Sequence, residues 1–183
     1  MEIEQKWRAL ARIDYQFYLE YVHNGNYIPA KYNKVICDKL EEVERGDCKR
    51  LMIFLPPRLG KSMTVSESFP SWFIGKNPER RVIETCYGDN LARKFGQRNK
   101  DKIVEHGKEI FDIELRHDKS SKANWELNEH RGGMIASGIG GTITGEGADL
   151  LIIDDPYKNR EQADSPTYRD KVWDEWQNTL FTR

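Results

Sequence analysis

The chain has 183 residues and a formal net charge of −1, with 32% of its residues charged. This length suits one compact domain with its own core and is short for two enzyme domains. The near-neutral charge gives no overall basic signature of a nucleic-acid binder, without excluding a local basic patch. We expect no membrane-spanning segment, and the scattered cysteines and histidines do not have the spacing of a disulfide framework or a zinc site.

The first part of the chain predicts helices. Residues in steps of three and four, mostly aromatic or apolar, predict an N-terminal helix within residues 1–25 whose aromatic stripe faces the core: Trp7, Leu10, Asp14, Phe17 and Tyr21. A second helix is predicted from Lys31 to Arg45, with Gly46 as its end.

The rest of the chain alternates short apolar runs with helical patterns. The predicted strands are 51–55, 81–87 and 150–153, and the predicted helices are 61–70, 89–105 and 167–180. The region 107–148 has the composition of β-structure and loops, and it ends in the glycine-rich stretch 138–147. Strands that alternate with helices predict an α/β fold with a mostly parallel central sheet.

A phosphate-binding loop is predicted between the first strand and the helix that follows it. In the pattern G-x-x-x-x-G-K-[ST], Gly60, Lys61 and Ser62 match, whereas Leu55 replaces the first glycine. In such a loop the lysine binds the β- and γ-phosphates, and the hydroxyl ligates the Mg²⁺ that bridges them. Arg58 adds a second cation near the γ-phosphate. The alternative is a chance GKS triplet in an ordinary loop.

The strand 150–153 ends in two acids, Asp154 and Asp155, which gives it the form of a Walker B strand. Ligands bind at this edge of open α/β sheets. We expect Asp154 to hold Mg²⁺ through its water shell, and Asp155 to orient and deprotonate an attacking water. Aspartate reaches less far than the glutamate of many motor ATPases. Acids that merely cap a strand end are the alternative.

Three motifs together resemble the ATPase domain of the large terminase subunit of tailed phages, the motor that pumps double-stranded DNA into a procapsid. They are PPRLGKS at 56–62, FPSWFIGKNP at 69–78 and TGEGADLLIIDDPYKN at 144–159, and the resemblance extends from Tyr27 to Arg183. It implies a P-loop NTPase of the ASCE type, a three-layer sandwich, over residues 1–183. It also implies ATP and Mg²⁺ as cofactors.

The resemblance assigns roles by position. Lys61, Arg58 and Asp155 are the expected catalytic residues, and Ser62 and Asp154 the expected metal ligands. The expected nucleotide-binding residues are Asn33, Pro57, Arg58, Leu59, Gly60, Lys61, Ser62 and Met63. Asn33 stands where the family places its adenine reader, and a plain surface position on the helix is the alternative.

The resemblance also implies partners and a location. We expect the chain to act on double-stranded DNA, with the portal protein and the small terminase subunit as partners, in a homo-oligomeric ring on the procapsid. The expected location is the host cytoplasm at the procapsid portal, with no membrane contact.

The sequence departs from the family pattern in two places. Glu146 stands where a basic residue often reaches a neighbouring subunit's nucleotide, so Arg58, Arg93 and Arg98 are the other candidates for that role. The sequence also stops before the family's coupling motif and nuclease domain. We therefore expect a truncated fragment without nuclease activity, whose sheet would have a gap where the coupling strand belongs.

Two other functional classes stay open. The chain could be a binding module that holds nucleotide or partner subunits without turnover. It could also be another P-loop enzyme, such as a helicase-like ATPase or a small-molecule kinase. The basic residues of helix 89–105 could contact DNA or simply form a solvated face. Trp173 and Trp176 have the spacing of packing residues rather than of a base-stacking pair.

Overall fold

The computed structural model describes residues 2–141, 143, 145 and 147–181, so Glu146 lies outside the described residues. The strands are β1 (Arg81–Cys86), β2 (Leu115–Ser120), β3 (Asn124–Leu127), β4 (Gly133–Gly138) and β5 (Leu150–Asp154). The helices are α1 (Glu2–Ile13), α2 (Tyr15–Val22), α3 (Lys31–Arg45), α4 (Lys61–Val65), α5 (Phe69–Lys76), α6 (Asp89–Phe111), α7 (Arg160–Asp164) and α8 (Pro166–Glu175), followed by a π-helical segment, Trp176–Leu180. None of the described helices is long and apolar enough to cross a membrane.

The five strands form one mixed sheet in the order β2-β3-β4-β1-β5. The pairs β4–β1 and β1–β5 are parallel, whereas β2–β3 and β3–β4 are antiparallel. The α/β class is confirmed, but the prediction of a mostly parallel sheet is wrong. The reason is the region 107–148, which forms a meander of three short strands without a helix between them, and strands joined by short loops pair antiparallel.

The two faces of the sheet are covered unequally. The main core lies between one face and the helices α1, α2, α3, α5 and α6, and its largest buried side chains include Trp72, Trp125 and Tyr15. A small second cluster on the other face contains Ile83 and Leu180. The layers are therefore a thick helical layer, the sheet and a thin C-terminal cover.

The prediction of a strand at 51–55 is wrong. These residues are extended but belong to no strand of the described sheet. Leu51, Ile53 and Leu55 pack against the main core, whereas Met52 is 82% and Phe54 88% exposed. The apolar run predicts a strand buried on both faces, but only one face of this segment has a partner. The strand β5, at the end of the sheet order, is an edge strand.

The N-terminal region contains two helices rather than one. Asp14 separates them, and its side chain accepts a hydrogen bond from the backbone N–H of Phe17, which caps α2. The predicted stripe does not face the core as a whole, because Trp7 and Leu10 are each more than a third exposed. The deeply buried aromatic residues are Tyr15 and Tyr18.

The other helices begin or end close to the predicted residues or differ from them for local reasons. The predicted helix 31–45 is confirmed, with Gly46 in the left-handed conformation at φ = 83° that ends many helices. The predicted helix 61–70 is interrupted, because the chain turns at 66–68 and a new helix, α5, has Pro70 in its first turn. The predicted helix 89–105 continues to Phe111.

Candidate phosphate and metal site

The predicted phosphate loop, residues 56–60, turns sharply into α4. Gly60 has φ = 79° and directly precedes the helix, and this left-handed conformation favours glycine. Arg58 also lies in the left-handed region, at φ = 66°. As a result Lys61 and Ser62 are the first two residues of α4, where they meet the end of β5.

Lys61 lies between the two carboxylates that end the β5 strand. Its Nζ atom is 3.0 Å from Asp154 Oδ1 and 2.6 Å from Asp155 Oδ1. Burial alone would lower the pKa of Lys61, but the hydrogen bonds to Asp155 and Asp154 outweigh that effect and raise it. The lysine is therefore a charged group that neutralises part of the negative charge of this pair.

Two hydroxyl groups hold the other oxygen of Asp154. Ser62 Oγ donates to Asp154 Oδ2 at 3.1 Å, and Ser66 Oγ donates to the same atom at 2.8 Å. Asp154 is buried, and its side chain is 7% exposed. Both of its oxygens thus have partners, which fixes the orientation of the carboxylate at the end of the strand.

The donor set at this point fits a hard divalent cation. The Asp154 carboxylate and the Ser62 hydroxyl are oxygen ligands of the kind that Mg²⁺ prefers. Over residues 2–141, 143, 145 and 147–181, no group of three or more His, Cys, Asp or Glu residues could hold a metal. A cation here would therefore take one carboxylate, one hydroxyl and ligands from outside the chain, which is the usual arrangement of Mg²⁺ with substrate phosphates.

Asp155 differs from its neighbour in exposure and backbone conformation. Its side chain is 61% exposed, and its φ of 44° lies in the left-handed region, which is uncommon for a residue with a side chain. Its carbonyl oxygen accepts a hydrogen bond from the backbone N–H of Tyr87 at 3.2 Å. That bond ties the end of β5 to the residue after β1, so Asp155 points its carboxylate toward the phosphate loop rather than along the strand.

The remaining predicted loop residues differ in their exposure. Pro57, Arg58 and Leu59 are exposed, and Met63 packs against the main core from α4. Arg58 is thus free of the core, and the turn that holds it is adjacent to Lys61 in the sequence.

Asn33 has a structural role in the free protein. It is buried, and its Oδ1 atom accepts a hydrogen bond from the backbone N–H of Ala30 at 2.9 Å, at the start of α3. The alternative of a plain surface position is therefore wrong.

The basic side chains of α6 do not form one free surface. Arg93 and Lys94 are exposed, whereas Arg98 forms an ion pair with Glu67 and the ammonium group of Lys102 donates to the Glu67 carbonyl oxygen. Among the tryptophans of the C-terminal segment, Trp176 packs against the second core cluster, while Trp173 is 59% exposed.

Two residues of the site were not predicted from the sequence. Ser66 follows Ser62 by four positions and so reaches the same oxygen of Asp154; this spacing was a usable signal. Glu84 is fully buried on β1, near Ser66. The sequence indication for Glu84 is an acidic residue in the middle of a strand that is buried along most of its length.

The geometry agrees with a comparison to known families. Residues 52–183 match the family described as terminase large subunit, T4likevirus-type, N-terminal. No curated protein matches the chain. The matched segment contains the predicted phosphate loop, α4, and the strands β1 to β5. The chain therefore belongs to the terminase large subunit family, in its T4-like N-terminal part, and has a role in phage DNA packaging.

Proposed function

We propose that the chain is the ATP-binding and ATP-hydrolysing module of a phage DNA-packaging motor, built as a P-loop NTPase of the ASCE type. One observation carries the proposal: Lys61 and Ser62 at the start of α4 contact Asp154 and Asp155 at the end of β5. These residues are more than 90 positions apart in the chain, 94 for the pair Lys61–Asp155. A loop lysine and hydroxyl beside an acidic strand end are the parts that P-loop enzymes use on a nucleoside triphosphate.

The free site already contains the charges that a triphosphate and its cation would replace. Lys61 would leave the two carboxylates and place its ammonium group on the phosphates. Asp154 and Ser62 would hold Mg²⁺, and Ser66 would keep Asp154 in its present orientation. When bound, Mg²⁺ would supply positive charge that offsets the negative charge developing on the phosphates.

Hydrolysis would use the residues around the γ-phosphate end of the site. Asp155 would accept a proton from the attacking water, because its exposed carboxylate is released once Lys61 moves to the phosphates. Lys61 and Arg58 would stabilise the negative charge of the transition state. Arg58 has no core contact to give up, so its side chain can turn toward the phosphates.

The other components of the proposal come from the terminase family as a whole. The motor would work on double-stranded DNA as a homo-oligomeric ring, with the portal protein and the small terminase subunit, at the procapsid portal in the host cytoplasm. Contacts with phosphate groups would suffice for grip, since translocation needs no sequence reading. Arg93 is exposed on α6 and is a candidate for a contact in trans.

A second candidate function is a nucleotide-binding module without turnover. The observation that favours it is the short contact between Asp155 and Lys61, 2.6 Å, in which the lysine occupies one oxygen of the proposed base. The two functions differ in phosphate release and not in binding.

The test is the release of inorganic phosphate from ATP with Mg²⁺ by the purified chain, beside Lys61→Ala. Lys39→Ala is the matched control, because it removes a lysine whose ion pair with Glu42 lies on the exposed face of α3. Phosphate release that depends on Lys61 but not on Lys39 supports the ATPase. Binding that depends on Lys61 without phosphate release supports the binding module.

A further inference from the structure

Glu84 is a buried carboxyl group without an adequate partner. It lies in the middle of β1 and is 0% exposed. Neither of its oxygens has a hydrogen-bond partner of normal geometry within the described part of the chain. A carboxyl group in this position is costly, because burial removes the water that would otherwise solvate it.

The side chain of Glu84 faces the proposed metal site. The strands β1 and β5 run parallel, with Glu84 opposite Ile152 and Cys86 opposite Asp154. Residues paired in this way point to the same side of a sheet. Ile152 and Cys86 both belong to the main core under the helices, so Glu84 and Asp154 lie on that same face.

Ser66 connects the two carboxyl groups. Ser66 is fully buried, and its Oγ atom donates to Asp154 Oδ2 at 2.8 Å. Burial raises the pKa of the Glu84 carboxyl well above its usual range, the Ser66 hydroxyl lowers it, and the charge of Asp154 raises it further. Glu84 is therefore within electrostatic reach of both groups, although neither is hydrogen bonded to it.

An apolar side chain at position 84 would suit the core better. The neighbours of Glu84 on its face of the sheet include Val82 and Cys86, which are buried in the main core. Proteins give up stability in this way mainly where a group has a function. Glu84 faces the same side of the sheet as Asp154, which connects it with the proposed metal site.

We propose that Glu84 is a positioning residue of the metal site, which acts through the buried Ser66 hydroxyl on the orientation of Asp154. The Asp154 oxygen that now contacts Lys61 then stays directed at the cation. This inference rests on the proposed nucleotide site. Partners of this kind behind a metal ligand tune affinity for the metal without touching it.

The test is the affinity of the chain for Mn²⁺ with ATP, followed by the electron paramagnetic resonance signal of free Mn²⁺, in Glu84→Leu and Glu84→Gln. Glu84→Leu should leave the melting temperature unchanged or higher and weaken Mn²⁺ binding about tenfold. Glu84→Gln keeps a group that can hydrogen bond to Ser66, so its affinity should stay within about twofold of the parent. Binding by Glu84→Leu as tight as that of the parent, or an equal loss in both variants, contradicts the positioning role.

Ser66→Ala supplies a second measurement, which tests whether the effect of Glu84 passes through Ser66. If it does, the double variant Glu84→Leu, Ser66→Ala should bind Mn²⁺ no more weakly than Ser66→Ala alone. Additive losses overturn the inference. Lys61→Ala separates the two proposals: if the parent chain binds Mn²⁺ and ATP without dependence on Lys61, the nucleotide site is wrong and the role of Glu84 fails with it. If Lys61→Ala loses binding of Mn²⁺ and ATP but Glu84→Leu binds them as tightly as the parent chain, only the role of Glu84 is refuted.

Discussion

The Nζ atom of Lys61 lies 2.6 Å from a carboxylate oxygen of Asp155 and 3.0 Å from one of Asp154. The lysine thus occupies the centre of the acidic strand end. Under the proposed function, a triphosphate would have to attract Lys61 away from both carboxylates. The proposed affinity for nucleotide would then contain the cost of breaking these contacts, and variants that weaken them should reveal it.

Asp155→Asn should keep ATP binding and lose turnover. The neutral amide releases Lys61 from a competing ion pair, so we expect binding that is equal to or tighter than that of the parent chain. Phosphate release should fall about 100-fold or more, because the amide cannot accept a proton from water. Asparagine tolerates the left-handed backbone at φ = 44°, which makes this change a conservative one.

Calorimetry and phosphate release on the same samples provide the measurement. Asp118→Asn is the control, since Asp118 is an exposed carboxylate on β2 that pairs only with Arg116 among the ion pairs described. Loss of ATP binding in Asp155→Asn would move this residue from the role of base to that of metal ligand.

Asp154→Asn should abolish the effect of Mg²⁺ on ATP affinity. In the parent chain, removal of Mg²⁺ with EDTA should weaken ATP binding, because under the proposed function Asp154 would hold the cation that accompanies the phosphates. In Asp154→Asn the affinity should be weak with or without Mg²⁺. A variant whose binding still responds to Mg²⁺ as strongly as the parent would exclude Asp154 from the metal site.

The sequence predicted which two segments meet better than it predicted the sheet. The apolar run 150–153 with two acids after it, and the triplet Gly60 to Ser62 before a helical pattern, are local signals, and the structure brings these two regions together. Helix α3 was predictable for the same reason, since its stripe and its terminal Gly46 lie within one short window.

The errors concern features that depend on distant neighbours. Apolar residues at 51–55 meet a core on one side only, and nothing within the segment reveals which side lacks a partner. The antiparallel meander β2-β3-β4 also depends on pairing between segments, which hydrophobic periodicity does not specify. The positions of Ser66 and Glu84 relative to Asp154 depend on the register of β1 and β5 and on the rotation of α4.

The segment 51–55 allows a matched pair of stability measurements. Phe54→Ser should change the free energy of unfolding by less than about 0.5 kcal/mol, because Phe54 is 88% exposed. Ile53→Ser should cost about 1–2 kcal/mol, because Ile53 packs against the main core. Denaturant titration measures both. An equal loss in the two variants would mean that the segment is buried on both faces.

His23 should make the protein less stable in mild acid. Burial, followed by the positive charges of Lys102 and Arg98, lowers the pKa of His23 to about 4, and its ring nitrogen lies 3.2 Å from Ser68 Oγ. In the unfolded chain the pKa is about 6.5, so the unfolded state binds more protons at intermediate pH. The contribution of His23 is complete above pH 6.5 and is lost as the pH falls toward 4.

The measurement is the melting temperature from pH 7.5 to 4.5, beside His23→Gln. The parent chain should lose more stability over this range than the variant, by no more than about 3 kcal/mol because His23 is only partly buried. Parallel curves for the two proteins would show that His23 titrates normally.

The most direct test of the account is the binding of ATP with Mg²⁺ to the parent chain, Lys61→Ala and Lys39→Ala, measured by calorimetry. The account predicts binding by the parent and by Lys39→Ala, and a loss of at least about 100-fold in Lys61→Ala. The melting curve of Lys61→Ala should stay cooperative, since Ser62 and Ser66 still hold Asp154. If Lys61→Ala binds ATP as tightly as the parent chain, residues 56–62 are not the phosphate-binding loop and the central claim is wrong.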